Sequence, residues 1–279
     1  MGTSASSPGP GRGVPFDPPW LDDVVLPCDA PPATDTIANP TEMINPTDET
    51  IEGQVAPAKR FLGARRSLGD FIKSGSTQAL DKAIGHYSRT GMGGAKRVAK
   101  RMGISTRSAA ALAQYLYSMR EGTNVDINEL VAELIERNAS TSEIIDEILA
   151  KIAAQGGSED ESQSRASLEQ ALTELCRDNA EINLLKLSDG DIWRLIESFL
   201  GFEAYRRICF DIGQKYEDSS IPIQTKMHRI IEMQQYVEAE IFVQIEKIRK
   251  SISGIETNNL VEVLQKAIEN TFLVYEGAL

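Results

Sequence analysis

Apolar residues recur at three- and four-residue steps along most of the chain after residue 60, which is the spacing that places side chains on one face of an α-helix. The clearest stripes lie within residues 127–135, 144–152, 227–252 and 260–272. The alternating pattern of half-buried strands is almost absent. The sequence therefore predicts an all-α body built of many helices.

Breaks and capping residues divide this body into individual helices. Two short amphipathic helices are expected between residues 60 and 87 with a break near Gly75, followed by a turn at residues 90–94 and helices over 95–102 and through 109–119. Further starts are predicted from side chains that can cap a helix: Asp126, Ser140 with Glu143 in a capping box, Ser167, and Ser188 or Asp189.

The longest helix is expected after Pro222, over residues 224–251, and a last helix follows and ends by Gly277. The long helix carries an apolar stripe, namely Met227, Ile230, Val237, Ile241, Ile245, Ile248 and Ile252. The Glu-rich face of residues 232–246 is interpreted as a solvated surface, and Trp193 as a core or interface aromatic.

Residues 155–166 are polar and lack an apolar stripe, so they are predicted to be the best internal linker. Three regions follow from the whole pattern. They are a tail over residues 1–57, a basic-to-mixed helical region over 58–157, and an acidic helical bundle with long C-terminal helices over 158–279.

The first 57 residues hold eleven of the twelve prolines and little apolar content, so they are predicted to form a long disordered Pro/Gly-rich tail. One apolar island interrupts it, around Phe16, Trp20 and Leu21. This island is a candidate for docking onto a partner protein. The alternative is that it folds back onto its own helical body.

Charge is distributed in blocks: −8 over residues 1–58, +10 over 59–122 and −14 over 123–279, which together give the net charge of −12. Within the basic block, residues 97–112 match the spacing of a helix-turn-helix, with Gly103 at the turn and Ser105 as the cap of the second helix. Phosphate contacts would come from four cations of this segment: Arg97, Lys100, Arg101 and Arg107.

Several function classes lack support in the sequence. The three cysteines form no pair at metal or redox spacing, and the two histidines have no ligand or catalytic partner at a suitable spacing. No apolar run is long enough to span a membrane. We therefore expect a cytoplasmic protein that is not an enzyme and needs no metal or cofactor.

The strongest chemical candidate is the amine of Gly2. After removal of Met1, this amine has a reference pKa of about 7.7–8.0, against about 10.4 for lysine, so a larger fraction is the nucleophilic free base at neutral pH. It is also uncrowded and lies at the end of the predicted tail. Gly2 is therefore a candidate site of covalent modification.

The order of motifs is similar to that of a known family. The opening residues through Trp20-Leu21, the Pro-rich spacer, residues 60–69 (RFLGARRSLG) and residues 86–95 (HYSRTGMGGA) resemble the QatB component of bacterial Qat anti-phage systems. This resemblance covers residues 1 to about 120.

The resemblance implies a non-enzymatic defence component that acts beside an ATPase, a protein (QatC) that looks like a 7-cyano-7-deazaguanine synthase, and a TatD-like nuclease. The synthase-like partner belongs to a group that transfers an activated deazaguanine carboxylate to an amine. By this similarity Gly2 would be the acceptor, and the island around Phe16 and Trp20 would hold the tail in a groove of the partner.

The predicted function is thus an anti-phage defence component whose tail is presented to the synthase-like partner. The alternative is a nucleic-acid-binding factor that acts through residues 96–107. A third hypothesis is a coiled-coil scaffold built on residues 224–252, and the oligomeric state is left open.

Overall fold

The computed structural model describes residues 56–152, 159–217, 220–251 and 259–279. The chain divides into Met1–Arg60 and Phe61–Leu279, and the second unit is the helical body. Its described residues contain no strand, which confirms the all-α prediction. The α-helices are α1 Leu62–Ser74, α2 Thr77–His86, α3 Ala95–Arg101, α4 Gly103–Glu121, α5 Val125–Glu136, α6 Thr141–Ile152, α7 Glu159–Asp178, α8 Asp189–Ile212, α9 Ile223–Ser251 and α10 Leu260–Gly277.

The predicted break near Gly75 is confirmed. Gly75 ends α1 in the left-handed conformation (φ 70°), and its N–H donates to the carbonyl of Phe71 at 2.7 Å. Ser76 then begins α2 by accepting a hydrogen bond from the Ala79 N–H. The turn predicted at residues 90–94 is shorter than expected, because the π-helical turn Tyr87–Met92 extends α2 and leaves only Gly93 and Gly94 to reverse the chain.

The capping predictions for α5 and α6 have different outcomes. Asn124 caps α5, since its Oδ1 accepts from the Ile127 N–H at 3.2 Å, and the predicted cap Asp126 lies inside the first turn. The capping box of α6 is confirmed: the Ser140 N–H donates to Glu143 at 2.7 Å, and the Glu143 N–H donates to Ser140 Oγ at 3.3 Å.

The predicted linker is wrong for residues 159–166, which belong to α7. Ser167, expected to open this helix, lies inside it and is fully buried, and its hydroxyl donates to the carbonyl of Gln163 at 3.0 Å. Glu, Gln, Arg and Ala tolerate a helix well, so polarity alone does not distinguish a linker from a helix with a short apolar face.

Helix α8 lies at the centre and packs against α4, α7 and α9. Its start is confirmed by a capping box in which the Asp191 N–H donates to Ser188 Oγ at 3.2 Å and the Ser188 N–H donates back to Asp191 at 3.1 Å. Apolar side chains around much of the helix are buried, as expected of a helix covered on several sides. They include Ile192, Leu195, Ile196, Phe199, Leu200, Ile208 and Ile212.

Helices α9 and α10 confirm the two long C-terminal helices, and they pack against each other, while α10 also contacts α2, α3 and α4. In the predicted stripe of α9, Val237, Ile241 and Ile245 are fully buried. Met227, at the start of this stripe, is 59% exposed, so the stripe is not buried along its whole length. Steps of four residues rotate a stripe by about 40° each, so its early members drift away from the packed face. The boundary predicted between residues 157 and 158 stays a prediction.

Candidate functional site

A groove of about 430 Å³ lies between α8 and α9, and we call it the acidic groove. Gly201 lets the two helices approach closely beside it, because a Cβ at this position would lie 2.4 Å from Cγ and 3.2 Å from Cα of Glu238. The lining combines carboxylates, two arginines and two aromatic rings: Gly190, Trp193, Arg194, Glu197, Ser198, Gln235, Glu238, Ala239, Phe242, Glu246 and Arg249.

Glu197 is the most buried carboxylate of the groove, with 6% of its surface exposed. Its Oε1 is buried and has no hydrogen-bond partner among the described residues. Burial raises the pKa of Glu197 to about 7; the charge of Glu246 raises it further, and Arg249 opposes both. The groove therefore contains a carboxyl group that exchanges its proton near neutral pH.

Glu238 is the second such group, on the α9 side of the groove. Its Oε1 is also buried without a hydrogen-bond partner in the described part of the chain. Burial raises the pKa of Glu238 to about 7, a hydrogen bond from Gln234 lowers it, and the charge of Glu174 raises it. Each carboxyl thus has a different charged neighbour, Glu246 for Glu197 and Glu174 for Glu238.

The two arginines of the lining already have partners. Arg249 lies over the ring of Trp193, with its Cζ 5.4 Å from the ring centroid, and its Nη1 is 2.7 Å from Glu246. Arg194 forms an ion pair with Asp178. Chemically, the groove can therefore accept hydrogen bonds and bind a cation, and its two buried carboxyl groups can exchange protons near neutrality.

The same helix, α9, carries an apolar surface made of Ile223, Met227 and Ile231, and we call it the α9 outer stripe. These three residues follow one another at four-residue steps and are 73%, 59% and 50% exposed. Phe242 is 49% exposed and also lines the acidic groove. Ile231 and Phe242 are eleven residues apart, which is close to three full helical turns, so they share one face of the helix.

The predicted nucleic-acid residues do not form an exposed basic ridge. Arg97 is only 5% exposed, while Lys100, Arg101 and Arg107 are half-buried. Burial lowers the pKa of Arg107. Nucleic-acid binding through these four residues stays a prediction, and the geometry adds no support to it.

The helix-turn-helix corner itself differs from the prediction. Helices α3 and α4 are joined through Met102 alone, and Gly103 is the first residue of α4. Ser105 does not cap a helix, because it lies within α4, is buried, and donates from its hydroxyl to Glu203 Oε2 at 2.5 Å. The helix-turn-helix motif has a three- to four-residue turn, so this connection is too short for it.

The remaining predicted site residues, Gly2, Phe16, Trp20 and Leu21, lie outside the described residues. Neither Glu197 nor Glu238 was among the predicted site residues. Glu238 lies on the Glu-rich face of α9, which was interpreted as solvated, whereas Glu197 lies on α8 and was not considered. One signal was available for Glu197. Glu197 is the one carboxylate within a run of large apolar residues, four positions before Gly201. When the apolar residues of such a run are buried, a carboxylate among them is expected to be buried too, and a buried carboxylate points to a function.

The described residues offer neither a metal site nor a membrane-spanning helix. No group of three or more His, Cys, Asp or Glu residues in that part of the chain could hold a metal ion. None of the described helices combines the length and the apolar character needed to cross a membrane.

The chain matches the model of a known protein family. The model of the family described as Qat anti-phage system associated protein QatB matches residues 93–275. No curated protein and no solved structure matches the chain significantly. The matched segment begins just after the π-helical turn and ends within α10. The motifs that suggested the family from the sequence lie within residues 1–120. The family match and these motifs therefore overlap only over residues 93–120.

This match covers well over half of the 279 residues and confirms the family inferred from the opening motifs. The chain belongs to the QatB family, whose members are associated with Qat anti-phage defence systems.

Proposed function

We propose that this protein serves its Qat system by binding other components in the cytoplasm rather than by catalysis. The observation that carries the binding role is the surface of α9, where an apolar stripe of exposed side chains adjoins a groove lined by Glu197 and Glu238. Each of these glutamates has a buried carboxyl oxygen with no hydrogen-bond partner in the part of the chain that the structure describes. Exposed apolar surface beside polar groups is typical of a protein-binding surface.

The second part of the proposal concerns the N-terminal segment. It is presented to the partner that resembles a 7-cyano-7-deazaguanine synthase, and the amine of Gly2 is the acceptor. The sequence supports this role because an α-amine has a lower pKa than a lysine amine and a glycine leaves it uncrowded. The partner would activate a carboxylate with ATP, and attack by the Gly2 nitrogen would form an amide, expel the activating group and release the amine proton.

Phe16, Trp20 and Leu21 are proposed to hold this segment in the partner. Their apolar side chains stand among prolines, which keep a segment extended, and an extended segment can place alternate side chains into a groove. The ATPase and the TatD-like nuclease of the system are the other proposed partners.

The test is intact-mass measurement of the protein after co-expression with the other proteins of its Qat system. We expect a single mass addition that maps to the N-terminal peptide. The addition should disappear in Gly2→Pro, which replaces the primary amine with a secondary ring amine, and in Gly2→Leu, which retains Met1. An unmodified terminus under these conditions would contradict the proposal.

A matched control separates this modification from N-myristoylation. Residues 1–6 fit the N-myristoylation pattern Met-Gly-x-x-x-Ser/Thr, and in that modification a fatty acyl group is transferred to the same amine of Gly2. Ser6→Ala removes that pattern and leaves Gly2 intact. We expect the addition to persist in Ser6→Ala and to depend on the synthase-like partner; its loss in Ser6→Ala would identify a lipid instead.

A further inference from the structure

The acidic groove contains buried hydrogen-bond acceptors that the described part of the chain leaves without donors. Glu197 and Glu238 both line this groove, and Oε1 of each is buried and has no partner there. Glu197 is more than nine-tenths buried, so water reaches its carboxyl group poorly. A buried acceptor without a donor is destabilising, and a ligand that supplies the donor recovers that free energy on binding.

The donor has to come from outside the groove. Of the two arginines in the lining, Arg249 is paired with Glu246 and lies over Trp193, and Arg194 is paired with Asp178. The sequence from residue 123 to 279 carries a charge of −14, so an incoming cation is attracted to this part of the chain. A cationic group with several N–H donors therefore complements the site.

An arginine side chain fits these requirements better than a metal ion or an ammonium group. Its planar guanidinium carries five N–H donors and can pair with carboxylates while it stacks on an aromatic face. Phe242 offers an exposed ring at the edge of the groove, and a volume of about 430 Å³ is within the usual range of ligand pockets.

The α9 outer stripe indicates that the arginine belongs to a protein rather than to a free small molecule. Ile223, Met227 and Ile231 continue the surface of α9 beyond the groove and are at least half exposed. A free cation would leave this stripe uncovered, whereas a polypeptide could cover it. We propose that the acidic groove is the binding site for an arginine side chain of another protein of the Qat system, whose flanking apolar residues lie on the α9 outer stripe.

This site is independent of the proposed modification of Gly2, and the two are tested separately. The first experiment uses the full chain carrying Trp20→Phe, so that Trp193 is its single tryptophan and reports binding by fluorescence. The probes are two blocked peptides, acetyl-Leu-Arg-Leu-amide and its counterpart with citrulline, which keeps the shape of arginine without the charge.

We expect saturable binding of the arginine peptide, at least tenfold weaker binding of the citrulline peptide, and at least tenfold weaker binding of the arginine peptide to Glu197→Gln. Glu129→Gln, an identical change at an exposed position of α5, is the matched control and should bind as the parent does. Equal affinity for both peptides, or an unchanged affinity in Glu197→Gln, would overturn the assignment, as would the absence of binding at millimolar peptide.

The second experiment concerns the source of the arginine. The full chain is co-expressed with the other Qat proteins and purified by an affinity tag, and recovery of each partner is compared between the parent and the variants. We expect Glu197→Gln combined with Glu238→Gln to lower recovery of one partner at least fivefold, and Met227→Lys to lower it as well. Unchanged recovery in the double variant would rule out a Qat protein as the occupant.

The same purified samples distinguish this inference from the proposed function. If the groove variants lose a partner while the mass addition on Gly2 persists, the two surfaces are separate. Phe242→Ala is a further check, since it alters no charge but removes the ring on which the guanidinium stacks; it should weaken the arginine peptide more than the citrulline peptide, and unchanged affinity for the arginine peptide would contradict the proposed stacking. A thermal melt of each variant confirms that it is folded before binding is compared.

Discussion

Helix α8 carries two glutamates that are equally buried but have different surroundings. Glu203 faces α4, and one of its carboxylate oxygens accepts a hydrogen bond from the Ser105 hydroxyl at 2.5 Å. Glu197, six residues earlier, is also 6% exposed, but it lines the acidic groove. Oε1 has no partner among the described residues in either glutamate, so what differs is the hydrogen bond from Ser105 to Oε2 of Glu203 and the groove beside Glu197. The difference indicates that a buried charge can be part of the packing on one side of a helix and part of a binding site on the other.

Two charged regions of the body were interpreted differently from the sequence, one as a functional surface and the other as a solvated face. The basic segment of α3 and α4 was a candidate for nucleic-acid contact, yet Arg97 and Ser105 are buried there. The Glu-rich face of α9 was interpreted as a solvated surface, yet it supplies Glu238 to a groove between two helices. In both regions, the sign and spacing of the charges in the sequence did not show which polar groups are buried.

The largest effect is expected on the packed side of α8. Ser105→Ala removes the donor to Glu203 and leaves a buried carboxylate without that hydrogen bond, which should lower the free energy of unfolding by about 2 kcal/mol. Urea unfolding of the full chain measures this change. Ser198→Ala, on the groove side of the same helix, is the control and should change it by less than about 0.5 kcal/mol. Equal losses in both variants would remove the distinction between the two sides.

A smaller, pH-dependent effect is expected on the groove side. The folded-state pKa of Glu197 is raised to about 7 from the ordinary value of 4.5, because of burial and then Glu246, with Arg249 opposing. The folded state therefore holds a proton between pH 4.5 and 7 that the unfolded state has lost. Its contribution to stability is complete below pH 4.5, falls as the pH rises through this window, and is constant above about pH 7.

The variant Glu197→Gln isolates this contribution, because glutamine keeps the shape and does not titrate. Relative to this variant, the parent should lose about 1–2 kcal/mol of unfolding free energy between pH 5 and pH 8, after allowance for solvent screening of a group near a groove. Unfolding in urea at several pH values measures the difference. A difference that is constant across this range would show that Glu197 is already ionised at pH 5.

Features that depend on residues close together in the sequence were predicted better than features that depend on contacts between distant segments. Whether a helix forms and where it is capped depend on residues within one or two turns. The break at Gly75, the start of α8 at Ser188 and the capping box at Ser140 were therefore predictable. The start of α7 was not, because residues 159–166 are helix-compatible but polar. The acidic groove depends on the approach of α8 and α9 at Gly201, and no local pattern encodes which helix a glycine will face.

The smallest effect is expected from charge reversal in the basic segment. Lys100→Glu with Arg101→Glu would abolish nucleic-acid affinity if this segment contacted phosphates, and the parent would then lose affinity steeply as salt increases. Both residues are half-buried and interact within the body, so we expect weak DNA binding in the parent at low salt and little change in the variant. Fluorescence anisotropy of a labelled duplex between 50 and 200 mM salt measures both. If the parent binds DNA with a steep salt dependence and the double variant does not, the nucleic-acid hypothesis is restored. If these cations serve only packing, the double variant should be less stable than the parent, but its affinity for DNA should be the same.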